Sequence, residues 1–188
     1  GVENSNFLLS TDRAKYILTL YEKRVDPTDL PFFLELMETL ATAGMNCPLP
    51  VMARDGSVLQ QLEGRPSAIF SFLDGTWSRF PNREKCRALG TALATMHVSA
   101  SVMSRNRPNS LGPLAWQPLF STVKGRADDL GLGMAQEIQD RLDVIIESWP
   151  TGLPKGVIHA DLFPNNVLFM GDKLTGLIDF YFACDDIP

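Results

Sequence analysis

The chain has 188 residues, 45% of them hydrophobic and 21% charged, with a net charge of −5. That is the composition of a globular protein with apolar material for one sizeable core or two small lobes. The acidic balance argues against a nucleic-acid partner or an anionic membrane surface, because either needs clustered Lys and Arg.

In chain order, residues 6–10 and 15–21 read as two strands flanking the turn Thr11-Asp12-Arg13. A helix follows from about 28 to 43, with Phe33, Leu36, Met37 and Leu40 at helical spacing and Gly44 where a C-cap glycine belongs. Pro48 and Pro50 break it. Two further strands, near 57–62 and 67–73, surround the turn Glu63-Gly64-Arg65-Pro66. After Asp74-Gly75 the pattern turns helical. Asn82 caps a helix running to about 103, with Cys86, Leu89, Leu93, Met96 and His97 along one face. Residues 104–113 read as a loop and 114–130 as a weaker helical region. The segment 134–148 reads as a helix with Ile138, Leu142, Ile145 and Ile146 on its buried stripe. Short strands then hold loops: Val157-Ile158, Val167 to Phe169, and Leu174 to Ile178. The expected fold class is therefore α+β, with a small antiparallel sheet carrying one helix over 1–74 and a mainly helical part over 75–188.

Cys47, Cys86 and Cys184 are widely spaced, with no CxxC or Cys/His cluster. They read as reduced thiols in a cytoplasmic protein, not as a disulfide framework or a zinc site. No apolar stretch is long enough to span a membrane, and no signal peptide is visible. The chain starts without Met and its last apolar run, Ile178 to Cys184, has no following element to cover it. A fragment of a longer enzyme is expected, inactive and poorly soluble alone.

The chemistry concentrates in His159-Ala160-Asp161-Leu162-Phe163-Pro164-Asn165-Asn166. Phosphoryl transfer to an alcohol needs an Asp beside the attacking hydroxyl to orient it and accept its proton, and Asp161 is the candidate. Five residues on, Asn166 can give its amide oxygen to Mg²⁺, and Asp179, between apolar Ile178 and aromatic Phe180, supplies a metal carboxylate. Mg²⁺ takes few protein oxygens and completes its octahedron with phosphate and water, which suits this set. His159 is expected to brace the loop by hydrogen bonding. An HxD pair alone is weak evidence; the full spacing ending in Asp179 is strong.

These residues resemble the catalytic loop of the aminoglycoside phosphotransferase-like kinases, a branch of the protein-kinase-like fold. The resemblance implies ATP as the second substrate. It places the nucleotide-covering loop at Asn4, Ser5 and Asn6, and the adenine-binding hinge at Ser71, Phe72 and Leu73 within Ser71 to Gly75. More narrowly, Val157 to Phe163, Ile178 to Cys184 and Leu20 to Val25 are similar to the homoserine kinases of that family. That implies phosphorylation of the side-chain hydroxyl of L-homoserine, on the route to threonine. Another amino alcohol, hydroxylysine or an aminoglycoside stays open as acceptor, as does a nucleotide-binding pseudokinase.

One departure stands out. Such folds place a basic residue on a strand to hold the α/β-phosphates, paired with a Glu on the next helix. Here those positions fall near Thr19 and Phe33, and Lys23 with Glu22 or Glu35 is the nearby substitute. His97, Trp116 and Trp149 read as packing residues, and Trp77 as the one Trp worth testing beside the hinge. Asp185 and Asp186 read as caps for a following helix, with orientation of substrate as the alternative. Oligomeric state is not legible.

Overall fold

The computed structural model describes residues 4–22 and 26–188. The Lys23 and Arg24 positions therefore lie outside the described residues. The described chain forms two compact units, one of residues 1–107, 156–186 and 188, the other of 108–155 with Ile187.

The first unit begins with a four-stranded antiparallel sheet of order β1-β2-β4-β3. Its strands are β1 (Asn4–Ser10), β2 (Lys15–Tyr21), β3 (Gln60–Leu62) and β4 (Arg65–Ser71). The β1–β2 register pairs Asn4 with Tyr21 and Asn6 with Thr19, while Thr19 also faces Ala68 of β4. Period-two alternation therefore puts Asn4, Asn6, Ile17, Thr19, Tyr21, Ala68 and Phe70 on one face. The β3–β4 connection is tighter than the four-residue turn expected. Leu62 pairs with Arg65, and Glu63 and Gly64 both adopt positive φ (50° and 72°), as a two-residue hairpin turn requires.

Helix α1 (Leu30–Thr42) buries Leu30, Phe32, Phe33, Leu36, Met37 and Leu40. It ends as the sequence predicts. Gly44 at φ 82° allows its N–H to reach Ala41 O and that of Met45 to reach Leu40 O, both at 2.9 Å. Helix α2 (Arg83–Ser99) is capped by Asn82, whose Oδ1 accepts from the Lys85 N–H at 2.9 Å. Met96 is its buried residue, whereas Cys86, expected on the same face, is exposed. It sits in the first turn, before the helix reaches the core.

The strands after α2 form two small antiparallel pairs: β5 (Gly156–Ile158) with β8 (Cys184–Asp186), and β6 (Val167–Met170) with β7 (Lys173–Leu177). Strand β8 overturns one expectation. The terminal apolar run is covered: Phe180, Ala183 and Cys184 are at most 1% exposed, because a 3-10 turn over Phe180–Phe182 folds the run inward before β8 pairs with β5. Arg107 clamps that return. Its N–H donates to Asp185 Oδ2 (2.6 Å) and its carbonyl accepts from the Asp185 N–H (2.7 Å). Its guanidinium donates to Asp29 (2.6 Å) and to the carbonyls of Phe182 and Ala183 (3.4 and 3.1 Å). Asp185 is thus a partner of Arg107.

The second unit holds α3 (Pro113–Val123) and α4 (Met134–Glu147), with Trp116 set edge-on against Trp149 at 5.1 Å. The expected buried stripe of α4 is only half realised. Ile138, Leu142 and Ile146 are half-buried, Ile145 is exposed, and no residue of the helix is fully buried. Among the described residues, no helix is long and apolar enough to cross a membrane.

Candidate active site

The candidate cassette is a loop tied at both ends. Strand β5 delivers His159 and strand β7 delivers Asp179, and one imidazole joins them. His159 is 2% exposed; its Nε2 lies 3.0 Å from the Ile178 carbonyl and its Nδ1 lies 3.4 Å from the Asp161 N–H. A carbonyl only accepts, so Nε2 carries the proton and Nδ1 accepts from Asp161. The ring packs against Phe180 at 4.8 Å. It thus holds the segment bearing Asp179 beside the segment bearing Asp161.

Burial, opposed by the bond to Ile178, pushes the His159 pKa below its ordinary value. Protonating Nδ1 would also set it donor-to-donor against the Asp161 N–H. The unfolded chain takes up this proton near pH 6.5 and the folded one only lower. Stability should therefore fall as pH drops below about 6.5, by up to about 1.4 kcal/mol per pH unit for this one proton, until the lowered folded value is reached. Urea unfolding of the full-length protein at pH 7, 6 and 5 checks this. His159→Gln should show a shallower decline, and identical slopes would refute the assignment.

Asn166 is 5% exposed and packs under the loop. Its Nδ2 donates to the Asp161 carbonyl at 2.7 Å and to Asp161 Oδ2 at 3.2 Å. Both amide hydrogens being committed, Oδ1 is the atom that can ligate. The Asn166 carbonyl accepts from the Ile178 N–H at 3.0 Å, which sets Asp179 one residue from Asn166's backbone. Asp161, Asn166 and Asp179 are therefore gathered through short, named bonds. Two of the three non-glycine residues with positive φ among those described are here: Ala160 at 61°, between His159 and Asp161, and Asp179 at 66°. Such backbone costs about 1–3 kcal/mol per residue and persists where surrounding bonds enforce it. An amide oxygen and a carboxylate are hard donors, so the set fits Mg²⁺ completed by phosphate and water.

A cavity of about 310 Å³ opens beside Asp179. It is lined by Asn6, Ile17 and Thr19 from the sheet, Ser71, Phe72 and Leu73 from the hinge, Leu168 from β6, and Asp179 and Tyr181. None of the described lining residues is basic. The hinge is pinned to the β6–β7 hairpin by reciprocal bonds between Thr76 and Phe169, both 2.9 Å. The glycines Gly75 and Gly176 permit that approach: a Cβ on Gly176 would lie 2.6 Å from Leu73 Cδ1.

The residues expected at the nucleotide separate by face. Asn6, Ser71, Phe72 and Leu73 line the cavity. Asn4 is buried on the same sheet face, its Oδ1 without a hydrogen-bond partner among the described residues. Ser5 points to the opposite face, where its hydroxyl donates to Glu22 at 2.9 Å, and Arg65 pairs with the same carboxylate at 2.8 Å. Glu35 does not approach the cavity's lining. Arg105, with Ser104, holds its carboxyl down to about 2. Trp77 is half exposed and outside the lining set. Two cavity hydroxyls escaped the sequence, those of Thr19 and Tyr181, with Tyr21 behind the second. The available signal was Thr19, a polar residue in phase with Ile17 and Tyr21 on an otherwise apolar strand.

The family model for the phosphotransferase enzyme family matches residues 1–188. The homoserine kinase of Rhizobium etli (strain CIAT 652) is 56% identical over 187 residues, covering 100% of this chain and 58% of that protein. The homoserine kinase of Rhizobium rhizogenes (strain K84) is 56% identical over 186 residues, covering 99% of this chain and 58% of its own length. The chain thus spans 58% of these curated relatives. An amicoumacin kinase, solved in complex with AMP-PNP, Ca²⁺ and Ami, superposes with a TM-score of 0.73 at 16% identity, covering 100% of this chain and 58% of that one. That likeness shows the fold, the protein-kinase-like one with an antiparallel N-terminal sheet and a helical part. By its match over its whole length, the chain belongs to the phosphotransferase enzyme family.

Proposed function

We propose that the full-length protein is an ATP-dependent homoserine kinase, phosphorylating the side-chain hydroxyl of L-homoserine. The observation that carries the phosphotransferase chemistry is the bonded cluster of Asp161, Asn166 and Asp179 beside a cavity of nucleotide size. The 56% identity to homoserine kinases supports the acceptor.

Asp161 is the base: its carboxylate, held by Asn166, orients the acceptor hydroxyl and takes its proton. Asn166 Oδ1 and the Asp179 carboxylate hold Mg²⁺, which neutralises phosphate charge when bound. The adenine sits against Ser71, Phe72 and Leu73 using hinge backbone, with Asn4 and Asn6 at the phosphate end. His159 keeps loop and metal strand in register and transfers no proton itself. The lobes this reading assigns are 1–74 for the nucleotide and 75–188 for catalysis, and the enzyme works in the cytoplasm, where its three free thiols stay reduced.

A coupled ADP-release assay of the full-length protein tests the acceptor. L-homoserine is expected to be turned over well ahead of other amino alcohols, hydroxylysine and aminoglycosides. ADP release with homoserine no faster than with water alone would overturn the name. Turnover of another alcohol in its place would keep the kinase and change the acceptor. The absence of basic residues from the described cavity lining favours one rival, a pseudokinase, for which no alcohol gives turnover while nucleotide still binds.

A further inference from the structure

Kinases of this fold anchor the α/β-phosphates with a strand Lys held by a helix Glu. By the resemblance those two places fall near Thr19 of β2 and Phe33 of α1, and a third residue meets both. Tyr181, two residues after Asp179, sets its ring edge-on to Phe33 (5.5 Å, 88°) and to Tyr21 (5.4 Å, 83°). Its hydroxyl is 3.2 Å from that of Tyr21. Thr19 and Asp179 stand close enough to act on the same hydroxyl. Asn6, Thr19, Asp179 and Tyr181 all line the cavity.

The protons of this group can be followed. Thr19 Oγ1 gives its proton to Asn6 Oδ1 at 2.8 Å. Tyr21, 3% exposed, can give its own to the Tyr181 oxygen. The Tyr181 proton can then turn to Thr19 Oγ1 or to an acceptor in the cavity. A tyrosine hydroxyl ordinarily titrates at about pH 10, so both are protonated donors across the physiological range. The change at Phe33 is coherent with the change at Thr19. With no Lys to pair, a Glu at a position 1% exposed would be an uncompensated buried charge.

We infer that Tyr181 is a nucleotide-binding residue whose hydroxyl donates to an ATP phosphate oxygen beside Asp179, with Tyr21 and Thr19 positioning it. The inference rests on the reading of the cavity as the ATP site. A neutral hydroxyl replaces a cation, so the bound metal carries most of the phosphate neutralisation.

The test is calorimetric titration of the full-length protein with AMP-PNP in excess Mg²⁺, alongside the KM of the alcohol acceptor. Tyr181→Phe keeps the ring contacts and removes the donor. It should raise the nucleotide Kd about tenfold or more and leave the acceptor KM unchanged, with only the modest drop in melting temperature expected when the buried Tyr21 hydroxyl loses its acceptor. Tyr21→Phe, which removes only the orienting hydroxyl, should raise the same Kd by less, and it serves as the probe should Tyr181→Phe fail to fold. Wild-type nucleotide affinity in both variants would overturn the inference, as would an effect confined to the acceptor KM or to the melting temperature. If the wild-type protein binds no AMP-PNP, the ATP reading falls first. If it binds and Tyr181→Phe binds equally, only the role of Tyr181 falls.

Discussion

Asp161→Asn in the full-length protein is expected to lower kcat about 10²- to 10⁴-fold, the usual cost of losing a positioned general base, while nucleotide binding survives. The substitution is nearly isosteric, and the one loop bond to the carboxylate, from Asn166 Nδ2 at 3.2 Å, can be accepted by an amide oxygen instead. The Asp161 carbonyl still accepts from Asn166 at 2.7 Å, and the Asp161 N–H still reaches His159. What disappears is a carboxylate able to take the acceptor's proton. A stopped assay for kcat, paired with titration of AMP-PNP and Mg²⁺, separates the two quantities. A kcat within a few-fold of wild type would remove Asp161 from the chemistry. Loss of nucleotide binding together with turnover would mean that the carboxylate shapes the loop instead.

The second large effect is expected far from any charge. At Gly75, φ is +138°, and an added Cβ would lie 2.4 Å from Thr175 Oγ1, 3.1 Å from the Phe169 carbonyl and 3.2 Å from Leu168 Cβ. Neither Thr175 nor the Phe169 carbonyl can yield cheaply. Thr175 is a short side chain with a buried hydroxyl, and the Phe169 residue is pinned by its reciprocal bonds to Thr76. Backbone strain and overpacking together put the cost of Gly75→Ala at about 2–5 kcal/mol. Gly90, inside α2 with nothing within 4 Å of its would-be Cβ, is the matched control. Gly90→Ala should be neutral or stabilising by up to about 1 kcal/mol. Urea midpoints of the two variants decide the matter, and equal midpoints would mean that the hinge does not approach the hairpin so closely.

Local signals in the sequence carried much of this architecture. The alternation of β1 and β2, the 3.6-residue spacing of α1 and its Gly44 stop depend on residues close in sequence, and the observed elements follow them within a few positions. The spacing of His159, Asp161, Asn166 and Asp179 was legible for the same reason, since one short loop and one hairpin bring them together. What depended on distant partners was not. Cover for the final apolar run comes from β5, some thirty residues earlier, and the Tyr181 hydroxyl meets that of Tyr21 across 160 positions. Periodicity placed Ile145 of α4 and Cys86 of α2 on apolar stripes, but it reports which residues share a face and not how far along a helix the core extends. Ser5 lies between Asn4 and Asn6, and only the strand pleat separates its face from theirs.

The Arg107 clamp also bears on how the chain folds as it is made. It joins Asp29, just ahead of α1, to Phe182, Ala183 and Asp185, more than 150 residues later. The four-stranded sheet can form once β4 has left the ribosome, because all its strands lie before residue 72. The Arg107–Asp29 ion pair ahead of α1 needs only the first 107 residues, but the groups that lock Arg107 from its other side arrive with the segment following Asp179. Until then Arg107, set 5.2 Å over the Phe33 ring in the finished structure, has neither the carbonyls nor the Asp185 carboxylate to bind. The start of α1 is therefore braced, through Arg107, by the segment after Asp179, and ribosome-bound chains ending before residue 182 should hold it more loosely than chains extended past 186.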